Sequence, residues 1–228
     1  MTLPLLTAQT GKILIESHRG CEKLAPENSW PGLEMGLARR ADLIEVDVQL
    51  SADGVPYLRH NYTLPDGRRG GPLPWAELAR VRILGEALPR LDEVLAWAQP
   101  RGACLALDLK CGFTPPFALG EAVLRLVQAA GLEERVILLA WDHHEIRRIK
   151  QACPAVATRA LLRACACDCI SLSYDLLRPG DVSLAHDLGV AVSLGDLFVP
   201  DFAFARACGA DIVSWGDPLE ARQALERP

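Results

Sequence analysis

The chain has 228 residues, half of them hydrophobic and 23% charged, with a formal net charge of −5. That balance excludes a disordered chain, and a pI near 5.6 excludes a broad electrostatic grip on nucleic acid, which needs clustered Lys and Arg. No apolar run approaches the ~18 residues of a membrane span, so no stable membrane insertion is expected.

Residues 1–10 lack the basic start and long apolar stretch of a signal peptide, which predicts a cytoplasmic protein. From there short runs rich in Ile, Val and Leu alternate with helical periods. Strands are predicted over residues 12–17, 43–49, 55–60, 104–110, 136–141, 158–163, 169–174, 190–194 and 211–215. Helices are predicted over 31–40, 91–99, 117–129, 143–152, 181–188, 202–207 and 219–225. Asp142 and Glu145 fit a capping box, and Gly131, Gly189 and Gly209 sit where helices should stop.

One connection is too short for a parallel crossover. Only Leu50 to Gly54 separate Gln49 from Val55, and Asp53-Gly54 is a hairpin turn signal. With those two residues as the loop, the register places His60 opposite Asp47. Setting this return strand aside leaves eight strands with interleaved helices, the count for a (β/α)₈ TIM barrel with a β-hairpin extension after strand two. No composition shift divides residues 1–228, so a single domain is expected.

Reactive side chains gather at predicted strand ends, where a barrel keeps its active site: His18 and Arg19, Glu45 and Asp47, His60, then Asp108 and Lys110. Residues two apart on a strand share a face, so Glu45 and Asp47 point together, as do Asp108 and Lys110. Carboxylates converging in a barrel lumen are costly unless paired or bound to a cation, and their oxygens suit Mg²⁺ or Ca²⁺. His18 and His60 could then divide proton removal and donation, with Arg19 and Lys110 facing an anion. His143, His144 and His186 read as solvated helix residues. The eight cysteines read as reduced thiols; Cys165, Cys167 and Cys169 share a face if extended, but no C-x-x-C pair or nearby His completes a zinc set.

The series His18-Arg19-Gly20, Ala25-Pro26-Glu27-Asn28-Ser29, Glu45-Val46-Asp47-Val48, Asp53-Gly54 and His60 resembles the glycerophosphodiester phosphodiesterase family in order and spacing. Leu107-Asp108-Leu109-Lys110 and the run from Leu88 to Leu95 extend the likeness, which is strong over residues 12–110 and continues to Pro218. The resemblance implies a (β/α)₈ barrel, a divalent cation, and hydrolysis of a small-molecule glycerophosphodiester to glycerol 3-phosphate and an alcohol. It implies Glu45, Asp47 and Asp108 as metal ligands, His18 and His60 as the acid–base pair, Arg19 and Lys110 as phosphate contacts, and Glu27 and Asn28 as supporting residues. Two other readings are a lysophospholipase D-type lipid phosphodiesterase and a barrel that binds phosphodiesters without turnover. A metal-dependent amidohydrolase is disfavoured by the lack of a His-x-His strand.

The chain departs from the family pattern at named places. Asn61 follows the second His where the family usually has Asp, removing a negative charge. Asp108 stands where the bacterial enzymes usually carry Glu, and Asp is the choice in the related phospholipase D-type toxins. Val192-Ser193-Leu194-Gly195 replaces a Trp-Thr-x-Asn strand, leaving Trp141 or Trp215 to supply an apolar wall. A short segment from Asp66 to Gly71 replaces a longer insertion, which predicts an open mouth without a cap domain. Outside the family pattern, Glu16 shares parity with His18 and should be buried below the site, paired with a cation, Lys110 by role.

Overall fold

The computed structural model describes residues 3–160, 167–172, 181–195 and 201–226. Its strands are β1 (Leu14–Ser17), β2 (Leu43–Leu50), β3 (Pro56–Leu58), β4 (Arg82–Ile83), β5 (Glu86–Ala87), β6 (Leu105–Leu109), β7 (Val136–Ala140), β8 (Ala157–Ala160), β9 (Cys169–Leu172), β10 (Ala191–Gly195) and β11 (Ile212–Trp215). Its helices are α1 (Thr7–Thr10), α2 (Trp30–Ala38), α3 (Trp75–Leu78), α4 (Leu91–Arg101), α5 (Ala118–Ala129), α6 (His143–Ala152), α7 (Asp181–Asp187), α8 (Phe202–Cys208) and α9 (Pro218–Glu226). The parallel order β1-β11-β10-β9-β8-β7-β6-β2 closes through β1–β2 pairing, with β3 antiparallel on β2. This is an eight-stranded (β/α) barrel, and the predicted ends at Arg163 and Tyr174 lie outside the described residues.

Period-two alternation divides each strand between two cores. Ile44, Val46, Val48, Leu105, Leu107 and Leu138 face the helices. Leu43, Ala106, Ile137, Leu139, Cys169 and Ile212 fill the lumen, with Leu5 against its lower end. A barrel layer takes side chains from alternate strands. Following the register, Glu16, Ser193, Arg159 and Ala106 form one layer, and Glu45, Ser214, Ser171 and Leu139 form the layer above. Asp108 and His18 lie above that, and Asp47 is nearest the mouth.

β2 is long enough to serve two neighbours on one edge. Glu16 and Ser17 pair with Leu43 and Ile44, and beyond them β3 pairs with Val48 to Leu50. The connecting loop has three residues, because Ser51 still pairs with Val55 through its N–H (3.0 Å) and Gly54, at φ +80°, closes the turn. The register is therefore one residue from the expected one: Val48 faces Leu58, and Arg59, not His60, lies opposite Asp47.

Four features went unpredicted, all too short for a periodic signal: α1, α3, the β4–β5 hairpin and a 3-10 turn at Cys111–Phe113. The segment after His60 is compact, with a Thr63–Arg69 bridge, α3 and that hairpin, in line with the expected short insertion. No helix among the described residues is long and apolar enough to cross a membrane.

Candidate active site

The site lies where β1, β2 and β6 end. Asp47 pairs directly with Asp108 across the β2–β6 register, and Glu45 sits two residues below Asp47 on the same face. One carboxylate oxygen from each of Glu45, Asp47 and Asp108 lies within 4.8 Å of the others, and all three residues are buried.

Backbone strain holds the surrounding groups. Arg19 (φ +50°) and Asn28 (φ +53°) are left-handed, a conformation that costs a non-glycine residue of order 1–3 kcal/mol and clusters at functional sites. The turn at Arg19 aims its N–H at Glu45 Oε2 (2.7 Å), and the Gly20 N–H donates to the Glu45 carbonyl (2.8 Å). Gly20 has φ +89°, and a Cβ there would stand 3.0 Å from the Gly32 carbonyl carbon, so the tight passage under α2 requires glycine. Asn28 grips Asp47 twice: its Nδ2 donates to Oδ2 (2.7 Å), and its Oδ1 accepts from the Asp47 N–H (2.8 Å). Ser29 caps α2 by accepting from the Gly32 N–H (3.2 Å), which fixes this loop on the barrel rim.

The cations are distributed unevenly. Lys110 Nζ contacts Asp108 and lies 2.8 Å from Asp47 Oδ1, and Arg19 Nε is 3.6 Å from Asp47 Oδ2. Burial opposes ionisation of Asp47, yet Lys110 and the Asn28 bond hold its carboxyl below the usual range. Burial pushes the Asp108 carboxyl up, and burial together with the Asp47 charge pushes Glu45 up to about 8. Asp108 Oδ1 is buried with no hydrogen-bond partner among the described residues. An unsatisfied carboxylate oxygen beside two more carboxylates is a donor set that a hard divalent cation completes.

Two imidazoles flank the cluster. His18 Nδ1 is 2.6 Å from Glu22 Oε1. Burial works against its protonation, but the Glu22 bond and the Glu45 and Glu22 charges outweigh it and push the pKa up to about 9. His60 Nδ1 is 2.9 Å from Asn61 Oδ1, and its backbone carbonyl accepts from Gln49 Nε2 (3.2 Å), two residues along β2 from Asp47. Glu27 is gripped from both sides, by Arg19 Nη1 at 2.8 Å and Arg59 Nη1 at 3.3 Å.

His18, Arg19, Glu27, Asn28, Glu45, Asp47, His60, Asp108 and Lys110 thus meet at one end of the barrel. Other expectations are corrected. Glu16 is buried, but its partner is Arg159 from β8, bidentate at 2.9 and 2.6 Å, and not Lys110, which lies higher in the lumen. His186 is not merely solvated: its Nε2 is 2.7 Å from buried Asp211. Asp142 caps α6 by accepting from the His144 N–H (2.9 Å), whereas Glu145 turns inward to the Gly120 backbone instead of closing a capping box. Trp215 packs behind β11 against Phe202 and Ala221, while Trp141, 68% exposed, follows β7 at the mouth. The described cysteines are free thiols, and Cys165 lies outside the described residues. Glu22, Arg59 and Arg159 were missed. Glu22 stands four residues from His18, a spacing that signalled the contact, whereas Arg59 was hidden by the one-residue register difference.

The profile of the Glycerophosphoryl diester phosphodiesterase family matches residues 18–192. A glycerophosphodiester phosphodiesterase from Caldanaerobacter subterraneus subsp. tengcongensis is 28% identical over 155 residues, which take in 63% of this chain and 64% of that protein; the chain spans somewhat less than two thirds of that relative's length. Two solved structures share the fold. A Parabacteroides distasonis glycerophosphodiester phosphodiesterase superposes with a TM-score of 0.84 at 21% identity, covering 93% of this chain and 96% of its own. An Oleispira antarctica phosphodiesterase in complex with the product sn-glycerol-3-phosphate gives 0.80 at 21% identity, covering 96% and 99%.

Proposed function

The chain belongs to the glycerophosphoryl diester phosphodiesterase family, and from that premise we propose that it is a cytoplasmic, single-domain hydrolase that cleaves glycerophosphodiesters to glycerol 3-phosphate and an alcohol. Glu45, Asp47 and Asp108 are the ligands of a divalent cation, Mg²⁺ or Ca²⁺. When bound, the cation supplies charge stabilisation at a phosphoryl oxygen. Arg19 and Lys110 hold the remaining phosphoryl oxygens and offset charge in the transition state. His18, aligned through Nδ1 by Glu22, donates a proton to the departing alcohol oxygen. His60 donates Nδ1–H to Asn61 Oδ1, so neutral His60 presents a bare Nε2 that takes a proton from the attacking hydroxyl. That hydroxyl belongs to water or to the substrate itself, in which case a cyclic phosphate forms first.

The carrying observation is the convergence of three buried carboxylates, one with an unpartnered oxygen, beside two imidazoles in unlike environments. The Oleispira antarctica neighbour, which holds sn-glycerol-3-phosphate, supports the product assignment. The test is a panel of glycerophosphodiesters assayed with Mg²⁺, Ca²⁺ and chelator, following glycerol 3-phosphate and free alcohol. His18→Ala and His60→Ala should each lose about 10²–10⁴ in rate, the usual worth of a positioned acid or base. Activity indifferent to chelator excludes the cation's role. Release of choline from lysophosphatidylcholine without cleavage of glycerophosphocholine makes it the lipid enzyme, and binding without any product makes it a binding barrel.

A further inference from the structure

Arg59 lies opposite Asp47 on the hairpin, so its side chain shares the face that carries Asp47, as Tyr57 does with Gln49 through a 3.1 Å hydroxyl–amide bond. It is 8% exposed. Its Nη1 meets Glu27 Oε1 (3.3 Å), its Nη2 reaches the Thr63 carbonyl (3.5 Å), and its Nε has no partner among the described residues. Arg19 holds the other oxygen of the same carboxylate, at 2.8 Å from Oε2, and its own Nε is likewise buried with no hydrogen bond among the described residues. Glu22 at 3.7 Å and Asp47 at 3.6 Å are the further acids facing Arg19.

An arginine paired alone with a carboxylate is a neutral unit with little attraction left for an anion. Two guanidinium groups sharing one carboxylate keep one net positive charge, and both remain ionised at any physiological pH. We propose that Arg59 is a positioning residue: by sharing Glu27 it fixes the Arg19 fork at the mouth and takes up part of the negative charge that Arg19 faces, which strengthens Arg19's hold on the phosphodiester. The inference rests on the hydrolase reading for Arg19's role, but its test reads anion binding independently of turnover.

The experiment titrates inorganic phosphate and glycerol 3-phosphate calorimetrically, at fixed Ca²⁺, into the parent protein and into Arg59→Met, Glu27→Gln and the double variant. Melting curves and steady-state kinetics are recorded in parallel. Arg59→Met should weaken both anions about tenfold and raise KM by a similar factor with a smaller change in kcat, the scale of one charge-assisted contact. Glu27→Gln should tighten binding. The double variant, in which Arg19 is again uncompensated, should return to within about threefold of the parent. Should Arg59→Met lose its melting transition, Arg59→Gln carries the same comparison. Parent-like phosphate binding in the Arg59 variant, or a double variant no stronger than the single one, makes Arg59 a structural tie of the loop and overturns the proposal. A parent protein that binds phosphate with the expected pattern but cleaves no diester leaves Arg59's assignment standing and removes the hydrolase reading.

Discussion

Two clusters of buried charge lie one above the other in the same lumen and differ in how their charges balance. Glu16 and Arg159 face each other from β1 and β8 with two parallel N–H···O bonds, each residue 2% exposed or less. Directly above, Glu45, Asp47 and Asp108 outnumber the Lys and Arg side chains that reach them: Lys110 and Arg19 contact Asp47 or Asp108, Glu45 accepts a backbone N–H, and Asp108 Oδ1 has no hydrogen-bond partner among the described residues. The lower pair is electrically closed and the upper cluster is open. Burial is common to both, so burial alone does not mark a binding site. The unbalanced acid does.

Breaking the closed pair should give the largest effect. Arg159→Met leaves Glu16 charged and unpartnered in the barrel interior, which should cost about 3–5 kcal/mol in unfolding free energy, whereas Glu16→Leu with Arg159→Met should restore most of it, because apolar replacement of a whole buried pair is near neutral. Denaturant melts of the three proteins decide the matter; a double variant as unstable as the single one would show that the pair does more than satisfy itself. The open cluster should respond in the opposite sense. Asp108→Asn removes one anionic ligand and should weaken Ca²⁺ or Mg²⁺ binding by about 10²-fold, comparable to or beyond the loss of a supporting group at a metal site. Without cation, its stability should stay within about 1 kcal/mol of the parent, since burial already disfavours the charged carboxyl. A cation titration followed by melting temperature reads both quantities.

The barrel was legible because alternation and strand count are local signals summed over the chain, and the hairpin was legible from Asp53-Gly54. The register was not, since a three-residue loop and a two-residue loop share that dipeptide and differ by one position. That single step concealed Arg59. The acids of the site could be placed together because parity on β2 and β6 is fixed by pleating, while Glu16's partner could not be found, because Arg159 is 143 residues away and meets it only through barrel closure. Asp211 is a similar case. It receives the Thr7 N–H (2.6 Å), the Val192 N–H (2.8 Å) and His186, stitching α1, β10 and α7 at the lower end, from three distant places in the chain.

The smallest effect is a pH dependence that only the open cluster should show. Glu45's pKa is pushed up to about 8 from an ordinary 4.5, chiefly by burial and then by the Asp47 charge. Between those values the folded chain holds a proton the unfolded chain has released, so cation-free stability should fall as pH rises across that window. His18 adds a loss of the same sign, but later: its contribution is complete below 6.5 and disappears as pH rises through about 9. A bound cation needs Glu45 deprotonated, so its affinity should decline about tenfold for each pH unit below 8 and level off above it. Melting temperatures from pH 5 to 9, with chelator and with Ca²⁺, should therefore diverge as pH rises. Glu45→Gln should flatten the limb between pH 5 and 6.5, where His18 adds no slope, and reduce the limb above 6.5 to what His18 supplies. A Glu45→Gln protein with the parent's slope between pH 5 and 6.5 would assign the unbalanced charge to a different carboxylate of the cluster.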